Sequence, residues 1–291
     1  MAITNQIDAA FQSFNVLFNK AFAEAKPLYK QMVTEVQSKT KEEVYLWLSE
    51  MPEMREWIGD RHIKDVEAFE YRIKNKDWES TIALKINDIK DNLISGYAPR
   101  VADMGRRAKL HPDKLLFELI PLGFSYNGYD GVSFFNAAHP VGDTTVSNHQ
   151  TGASDAWYLM DLSRHMKPFI FQNRQPVQQI QLDKPTDERV FQRKEALYGV
   201  DARYNVGFGI WQFCFASKAT LNATNYAALK TSMESQKDAA GVPLDISPTH
   251  LVFPASLEAS ARTLIEAQLI SGGDSNIWYK TIELIKAPRL G

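Results

Sequence analysis

Polar and apolar positions change period along this chain, and the clearest change falls between residues 69 and 122. Phe69, Tyr71 and Ile73 alternate with Glu70, Arg72 and Lys74. Beyond Asn75-Lys76 the alternation resumes, with Trp78, Ile82, Leu84 and Ile86 set against Asp77, Glu79 and Lys85. Period two on both sides of a short polar pair predicts a β-hairpin, and Asn75 tolerates the left-handed backbone that tight hairpins need. The implied register puts Lys74 opposite Asp77, Arg72 opposite Glu79, Ile73 opposite Trp78, Tyr71 opposite Ser80 and Phe69 opposite Ile82. Upstream, Glu53, Arg55, Glu56, Asp60, Arg61, His62, Lys64 and Asp65 leave few apolar residues for a local core. The segment therefore reads as a projecting ribbon. A two-stranded ribbon is marginal alone in water, so its apolar stripe (Trp57, Ile63, Phe69, Tyr71, Ile73, Trp78, Ile82) is expected to lie on a neighbouring copy.

The period then becomes helical. Val101, Met104, Ala108, Leu115 and Leu119 fall on one stripe, opened by Pro99 and closed by Gly123. A helix from 99 to 122 would span roughly 36 Å. Pro112 is expected to kink or split it. Before the ribbon, Ile7, Phe11, Phe14, Phe18, Phe22 and Ala25 predict an amphipathic helix over 4–25. Residues 30–40 read as loose or extended polar chain, and 43–48 as a strand or short helix.

Residues 123–155 are punctuated by Gly128, Gly131, Gly142 and Gly152, and Asp130-Gly131 is a turn candidate. Strands are expected at 168–172 and 177–182, separated by Arg174-Gln-Pro, and across 191–215, where Gly199, Gly207 and Gly209 predict bulges or bends. The last third reads as helix 223–237 capped by Asn222 or Thr224, strand 250–253, helix 254–269 and strand 281–286. That succession predicts a compact α+β domain of its own.

Length, 291 residues, allows one large or two modest domains. Apolar content of 44% and charged content of 23% are those of a globular chain. A net charge of -2 gives no basic surplus for dedicated nucleic-acid binding. The lone Cys214 cannot form an internal disulfide. There is no apolar run long enough for a membrane helix and no signal-peptide pattern.

Candidate chemistry is sparse. No nucleophile elbow, phosphate-binding glycine loop or zincin helix occurs. His62 and Asp65 are two ligands, too few for a metal site. Cys214 and His139 are the remaining nucleophile and base pair, and the aromatic surroundings of Cys214 favour a buried small hydrophobe instead. No catalytic residue, metal or cofactor is expected.

Several segments resemble the major head subunit (gpT) family of Mu-like phages. They are Tyr45-Leu-Trp-Leu, Glu56-Trp-Ile-Gly, Asp91-Asn-Leu-Ile-Ser-Gly-Tyr-Ala-Pro, Met104-Gly, Pro112-Asp-Lys-Leu and Tyr129-Asp-Gly-Val-Ser-Phe-Phe, then His139-Pro-Val, Lys167-Pro-Phe-Ile-Phe-Gln, Tyr204-Asn-Val-Gly-Phe-Gly-Ile-Trp-Gln and Leu251-Val-Phe-Pro. They keep the family's order and cover nearly the whole chain. One departure is Lys90-Asp91 where the family often has two acids, and it bears on where the long helix begins.

The resemblance implies an α+β capsid subunit of the Hong Kong 97-type fold. Residues 1–40 would be the N-terminal arm, and 41–87 the extended loop and its base, with the tip near 59–65. Residues 88–220 would be the peripheral domain with a spine helix over about 92–122, and 221–291 the axial domain. It further implies self-assembly into hexamers and pentamers around double-stranded DNA contacted non-specifically. Portal, scaffold or protease, and possible decoration proteins would be partners, with assembly in the bacterial cytoplasm and residence in the virion. No long prodomain precedes the arm, so a scaffold is expected as a separate protein. Phe11, Phe14, Phe18, Phe22, Trp57, Asp60, Arg61, Lys64, Asp65, Phe69, Tyr71 and Trp78 are the expected intersubunit contacts, with ribbon and arm ordering only on assembly. The alternatives are a cellular encapsulin-like shell of the same fold, or a hydrolase using Cys214 and His139.

Overall fold

The computed structural model describes residues 3–45, 71–91, 93–184, 187–270 and 272–290. The first half holds α1 (Ile3–Glu24), α2 (Tyr29–Met32), β1 (Val33–Gln37), β2 (Glu42–Val44), β3 (Arg72–Lys74), β4 (Lys76–Lys85), α3 (Ile86–Lys90) and α4 (Ala98–Leu122). Next come β5 (His139–Val141), β6 (Thr144–Val146), β7 (His149–Gln150), β8 (Trp157–Met160), β9 (Phe169–Leu182), α5 (Glu188–Arg193) and β10 (Glu195–Phe208). The chain closes with β11 (Cys214–Ser217), α6 (Ala223–Glu234), β12 (His250–Phe253), α7 (Glu258–Ile265) and β13 (Glu283–Lys286). It is a mixed α+β fold.

One sheet has the order β1-β9-β10-β4. β9 and β10 form a long antiparallel pair, β1 joins β9 in parallel, and β4 joins β10 antiparallel. The two strands expected at 168–172 and 177–182 are one. Pro176 lacks an N–H, and the β9–β10 register shifts beside it, between Asp201 and Arg203 and again before Tyr204. A bulge absorbs a proline that a regular ladder could not. Residues 30–40, read as loose, supply β1: its outward positions are polar, which hid the strand.

The long helix begins at Ala98, after a 3-10 turn over Leu93–Gly96, and not near 92. Pro112 does not split it; α4 runs through to Leu122. The buried stripe changes face along the way. Val101 and Met104 meet α1 and the sheet, whereas Pro112 itself and, beyond it, Leu116, Phe117 and Ile120 are buried. Leu115 and Leu119, assigned to the stripe by spacing, are only half-buried. Asp113 is buried on this helix, and its carboxylate accepts from the backbone N–H of Leu28 (3.1 Å) and Tyr29 (2.7 Å), capping α2. Burial pushes this carboxyl up, and the two N–H groups oppose that shift.

The arm helix is the expected one, and it packs on its own chain. Ile7, Phe11, Phe14 and Phe18 are buried against Val101, Met104, Leu84, Tyr198 and Val200 of the same chain. A Cβ on Gly105 would lie 2.6 Å from the Phe18 carbonyl, so glycine lets α1 and α4 touch backbone to backbone. Tyr198 Oη donates to Asn15 Oδ1 at 3.0 Å, and Gln179 Nε2 to Asn19 Oδ1 at 2.8 Å, which fixes the seat. Within the chain, the stripe expected to meet a neighbour is thus covered by α4, β4 and β10. Three fully buried phenylalanines contribute about 1.5–3 kcal/mol each, reason enough to dock in the lone subunit.

The expected 75–76 hairpin is also corrected. β3 pairs with β2, setting Ile73 opposite Glu43, and β4 pairs with β10. Asp77 faces Arg203, with an ion pair at 3.2 Å, and Glu79 faces Asp201. The alternation was right about faces: Ile73 is buried between exposed Arg72 and Lys74. Period two says which side a residue takes and nothing about which strand lies alongside.

The second sheet has the order β13-β12-β8-β11-β7. Three of its strands precede residue 221, so the last third is not a self-contained unit. α6 and α7 cover one face through Tyr226, Leu229, Met233, Ala261, Leu264 and Ile265. Asn222 caps α6, its Oδ1 accepting from Asn225 N at 2.9 Å. α6 ends at Glu234, short of 237. α7 follows a 3-10 turn and stops at Ile265, well short of 269, where Asn276 Nδ2 donates to the Leu264 and Ala267 carbonyls. Among the described residues no helix is long and apolar enough to cross a membrane.

The seating of the arm yields the first prediction. Phe14→Ala should destabilise the unassembled subunit by about 3–5 kcal/mol, and Asp113→Ala, which orphans the buried Tyr29 N–H and the part-buried Leu28 N–H, by about 1–3 kcal/mol. Denaturant titration of unassembled protein measures both. A Phe14→Ala subunit as stable as its parent would show that the arm is not seated on its own chain.

Candidate assembly interface

Tyr45 and Tyr71, the described residues that flank 46–70, are adjacent: Tyr45 N donates to Tyr71 O at 2.9 Å. Both phenols reach into the β9–β10 pair. Tyr45 Oη donates to Gln172 Oε1 at 2.7 Å, and Tyr71 Oη accepts from Phe208 N at 2.9 Å. Burial pushes the Tyr71 phenol up to about 12 and the Tyr45 phenol higher still. Between them β3 lies over β10. A Cβ on Gly207 would fall 2.3 Å from Ile73 Cδ1, so only glycine lets the ribbon settle this close.

Behind the phenols sits a closed polar network. Gln172 is fully buried; its Nε2 donates to Ile73 O (3.1 Å) and to Asn75 Oδ1 (2.7 Å). Asn75 is buried too, and its Nδ2 donates to Ser38 Oγ (2.9 Å) and Thr40 O (3.0 Å), while its N–H donates to Lys41 O (3.1 Å). Ser38 and Thr40 hydroxyls, with the Lys39 and Thr40 N–H groups, all converge on Glu43 Oε1. The N–H groups of Lys39 and Thr40 lead in drawing the Glu43 carboxyl down to about 2. Period-two alternation makes Asn75 a hairpin-turn residue and gives Gln172 no role. Its signal was a glutamine in the apolar run Phe169–Phe171, where a polar residue needs a partner.

Of the expected contact residues, Phe11, Phe14 and Phe18 are in the subunit's own core. Phe22 is half-buried, stacked on Phe18 beneath Lys109 Nζ at 4.5 Å. Tyr71 is the phenol already described. Trp78 is half-buried, its Nε1 donating to Tyr204 O at 2.9 Å and its ring edge-on to His111. Both have partners within the subunit. Trp57, Asp60, Arg61, Lys64, Asp65 and Phe69, together with His62, lie outside the described residues.

The outward face of the first sheet has two tones. Asp77 and Glu79 on β4 are exposed, with Asp201 and Arg203 beside them on β10. Toward the other end Ile180 (49%), Leu182 (46%) and, on α5, Phe191 (81%) are open to solvent.

His139 and Cys214 do not form a catalytic pair. His139 Nδ1 lies 2.5 Å from Asp130 Oδ2 and Nε2 lies 3.0 Å from Asn148 Oδ1, so both ring nitrogens are engaged. The ring stacks on Trp211 with centroids 3.9 Å apart. Asn148 Nδ2 meanwhile donates to the Phe134 and Cys214 carbonyls. The Cys214 thiol is fully buried, and burial pushes it well up, away from the thiolate a nucleophile needs. The cluster ties the 123–150 excursion to β11. Among the described residues no group of three or more His, Cys, Asp or Glu side chains is placed to hold a metal ion.

Glu43 supplies the second prediction. An unfolded carboxyl titrates near 4.5 and the folded one near 2, so its contribution is complete above pH 4.5 and is lost as pH falls toward 2. Protection of the Lys39 and Thr40 amides against hydrogen exchange should drop across that window. In Glu43→Gln it should be lower and independent of pH there. PH-independent protection in the parent protein would remove Glu43 from this role.

The comparisons with known proteins agree with this architecture. A family model described as Mu-like prophage major head subunit gpT matches residues 7–290. The Mu-like prophage FluMu major head subunit of Haemophilus influenzae is 36% identical over 275 residues, 90% of this chain and 89% of that one. The major capsid protein of Escherichia phage Mu is 32% identical over 282 residues, covering 93% and 92%. Among solved structures, the procapsid of bacteriophage JBD30 is similar at a TM-score of 0.88 and 39% identity, over 98% of both chains. The JBD30 capsid is similar at 0.81 and 30%, over 92% of both. With a family match across nearly its full length and relatives above 30% identity, the chain belongs to the Mu-like prophage major head subunit gpT family.

Proposed function

We propose that this major capsid protein of a tailed phage or prophage builds hexamers and pentamers by laying residues 46–70 across the next subunit. The shell would enclose double-stranded DNA, which it touches without sequence preference. The observation that carries the docking is complementarity. Residues 46–70 bear Trp57, Ile63 and Phe69 among Arg61, Lys64, Asp60 and Asp65. The outward sheet face offers exposed Asp77 and Glu79 and, farther along, Ile180 and Leu182, and Phe191 on α5 is exposed as well. Apolar groups on both sides would leave water together, and the charges would set register more than affinity. The arm has no part in this handover, because its phenylalanines are already used.

The last third, residues 221–291, would form the axial part of each capsomer together with the β7, β8 and β11 strands that complete its sheet. Assembly would take place in the host cytoplasm with portal and scaffold or protease proteins. A JBD30 capsid is known decorated with minor capsid protein trimers, and a decoration protein is a fitting partner here. The chain itself would perform no chemistry. A cellular cargo shell is the weaker reading, since the named relatives belong to phage and prophage heads.

Electron microscopy of the protein expressed with and without its neighbouring head genes tests the shell. For the docking, Arg61→Glu with Lys64→Glu should slow assembly about tenfold or more and leave subunit unfolding unchanged. Adding Glu79→Lys should recover part of the loss. Assembly of the double variant at the parental rate would exclude this contact.

A further inference from the structure

We propose that Gln172, braced by Asn75 and acting through the Tyr45 phenol, is a positioning residue which, together with the bond from the Phe208 N–H to the Tyr71 phenol, sets the direction in which residues 46–70 are presented to a neighbour. The inference rests on the reading of 46–70 as the segment that reaches a neighbour, and it adds what controls that reach.

The ribbon at the exit is slight. β2 and β3 share three register pairs, Glu42 with Lys74, Glu43 with Ile73 and Val44 with Arg72. Two strands of that length have little stability alone. Apolar contacts, Ile73 on Gly207 chief among them, would hold the ribbon down but would let it swivel, because dispersion is not directional. Hydrogen bonds are directional. Both exit residues carry one, and each ends on the β9–β10 pair: Tyr45 on the Gln172 side chain, Tyr71 on the Phe208 N–H.

The Gln172 carboxamide uses its oxygen for Tyr45 and its two N–H groups for Ile73 and Asn75. Asn75 then spends both its N–H groups on the Ser38–Thr40 turn. Every amide donor is satisfied, so the arrangement has one geometry and no cheap alternative. Fully buried amides are a poor way to gain stability over a packed apolar core. They are a good way to specify an angle. A shell needs the same exit angle in every copy, and an error there is repeated at each contact.

The test compares Tyr45→Phe, Tyr71→Phe, their double variant and Gln172→Met with a variant in which residues 50–66 are replaced by a short glycine-serine linker. Circular dichroism and thermal unfolding report the subunit. Electron microscopy and sedimentation report shell yield and size. The tyrosine variants remove only hydroxyls and should fold. Each is expected to lower the yield of uniform shells about five- to tenfold, the factor matching roughly one hydrogen bond, with aberrant particles in their place. Gln172→Met should be worse, and if it fails to fold the tyrosine pair still decides. Parental yields and sizes from the folded tyrosine variants, with the linker variant unable to assemble, would overturn the positioning role and leave the docking segment standing. Normal shells from the linker variant would overturn the reading of 46–70 itself.

Discussion

Everything in this subunit hangs on the antiparallel pairing of β9 with β10. β1 adds to one edge and β4 to the other. The arm helix rests on Tyr198 and Val200 of β10, and α4 closes the same core. The ribbon lies on Gly207, and its exits are pinned to Gln172 and Phe208. Two long strands give this scaffold reach, and their ladder gives it stiffness. The register shift at Pro176 shows how firmly the pair is retained: the strands bulge around the proline and then resume.

Buried polar groups act in this fold as locating devices. Asp113 on α4 holds the chain where it turns from arm to sheet. Asn148 joins His139 to the β11 backbone. Gln172 and Asn75 join the ribbon base to β9. In each case an apolar side chain of similar volume would fill the space and leave position unspecified, whereas a satisfied polar group admits one arrangement. A subunit that must fit identical neighbours has use for that selectivity beyond its worth in stability.

The arm and the ribbon illustrate two ways of handling an apolar stripe. The arm buries its phenylalanines at once, with Gly105 allowing the helices to touch. At the base of the ribbon Tyr45 and Ile73 are buried in the subunit and Tyr71 packs against them.

The sequence by itself determined the elements with a strong period: the arm helix, the long helix after Pro99, the faces of residues 72–85 and the buried strand at 250–253, and it narrowed the α6 cap to Asn222 or Thr224. Its ordered family segments also determined the α+β capsid class, since they specify a fold jointly even where each is short. Tertiary structure alone decided partners. β4 alternates as a hairpin strand would, yet it bonds to β10, because alternation is the same whichever strand lies alongside. The Phe stripe of α1 reads identically whether a neighbour or its own α4 receives it, and Gly105 settles the choice through an approach visible only in three dimensions. Asn75 looks like a turn residue in sequence and is a buried clamp in the fold, because its four hydrogen-bonding partners at Ser38, Thr40, Lys41 and Gln172 come together only once the sheet has formed.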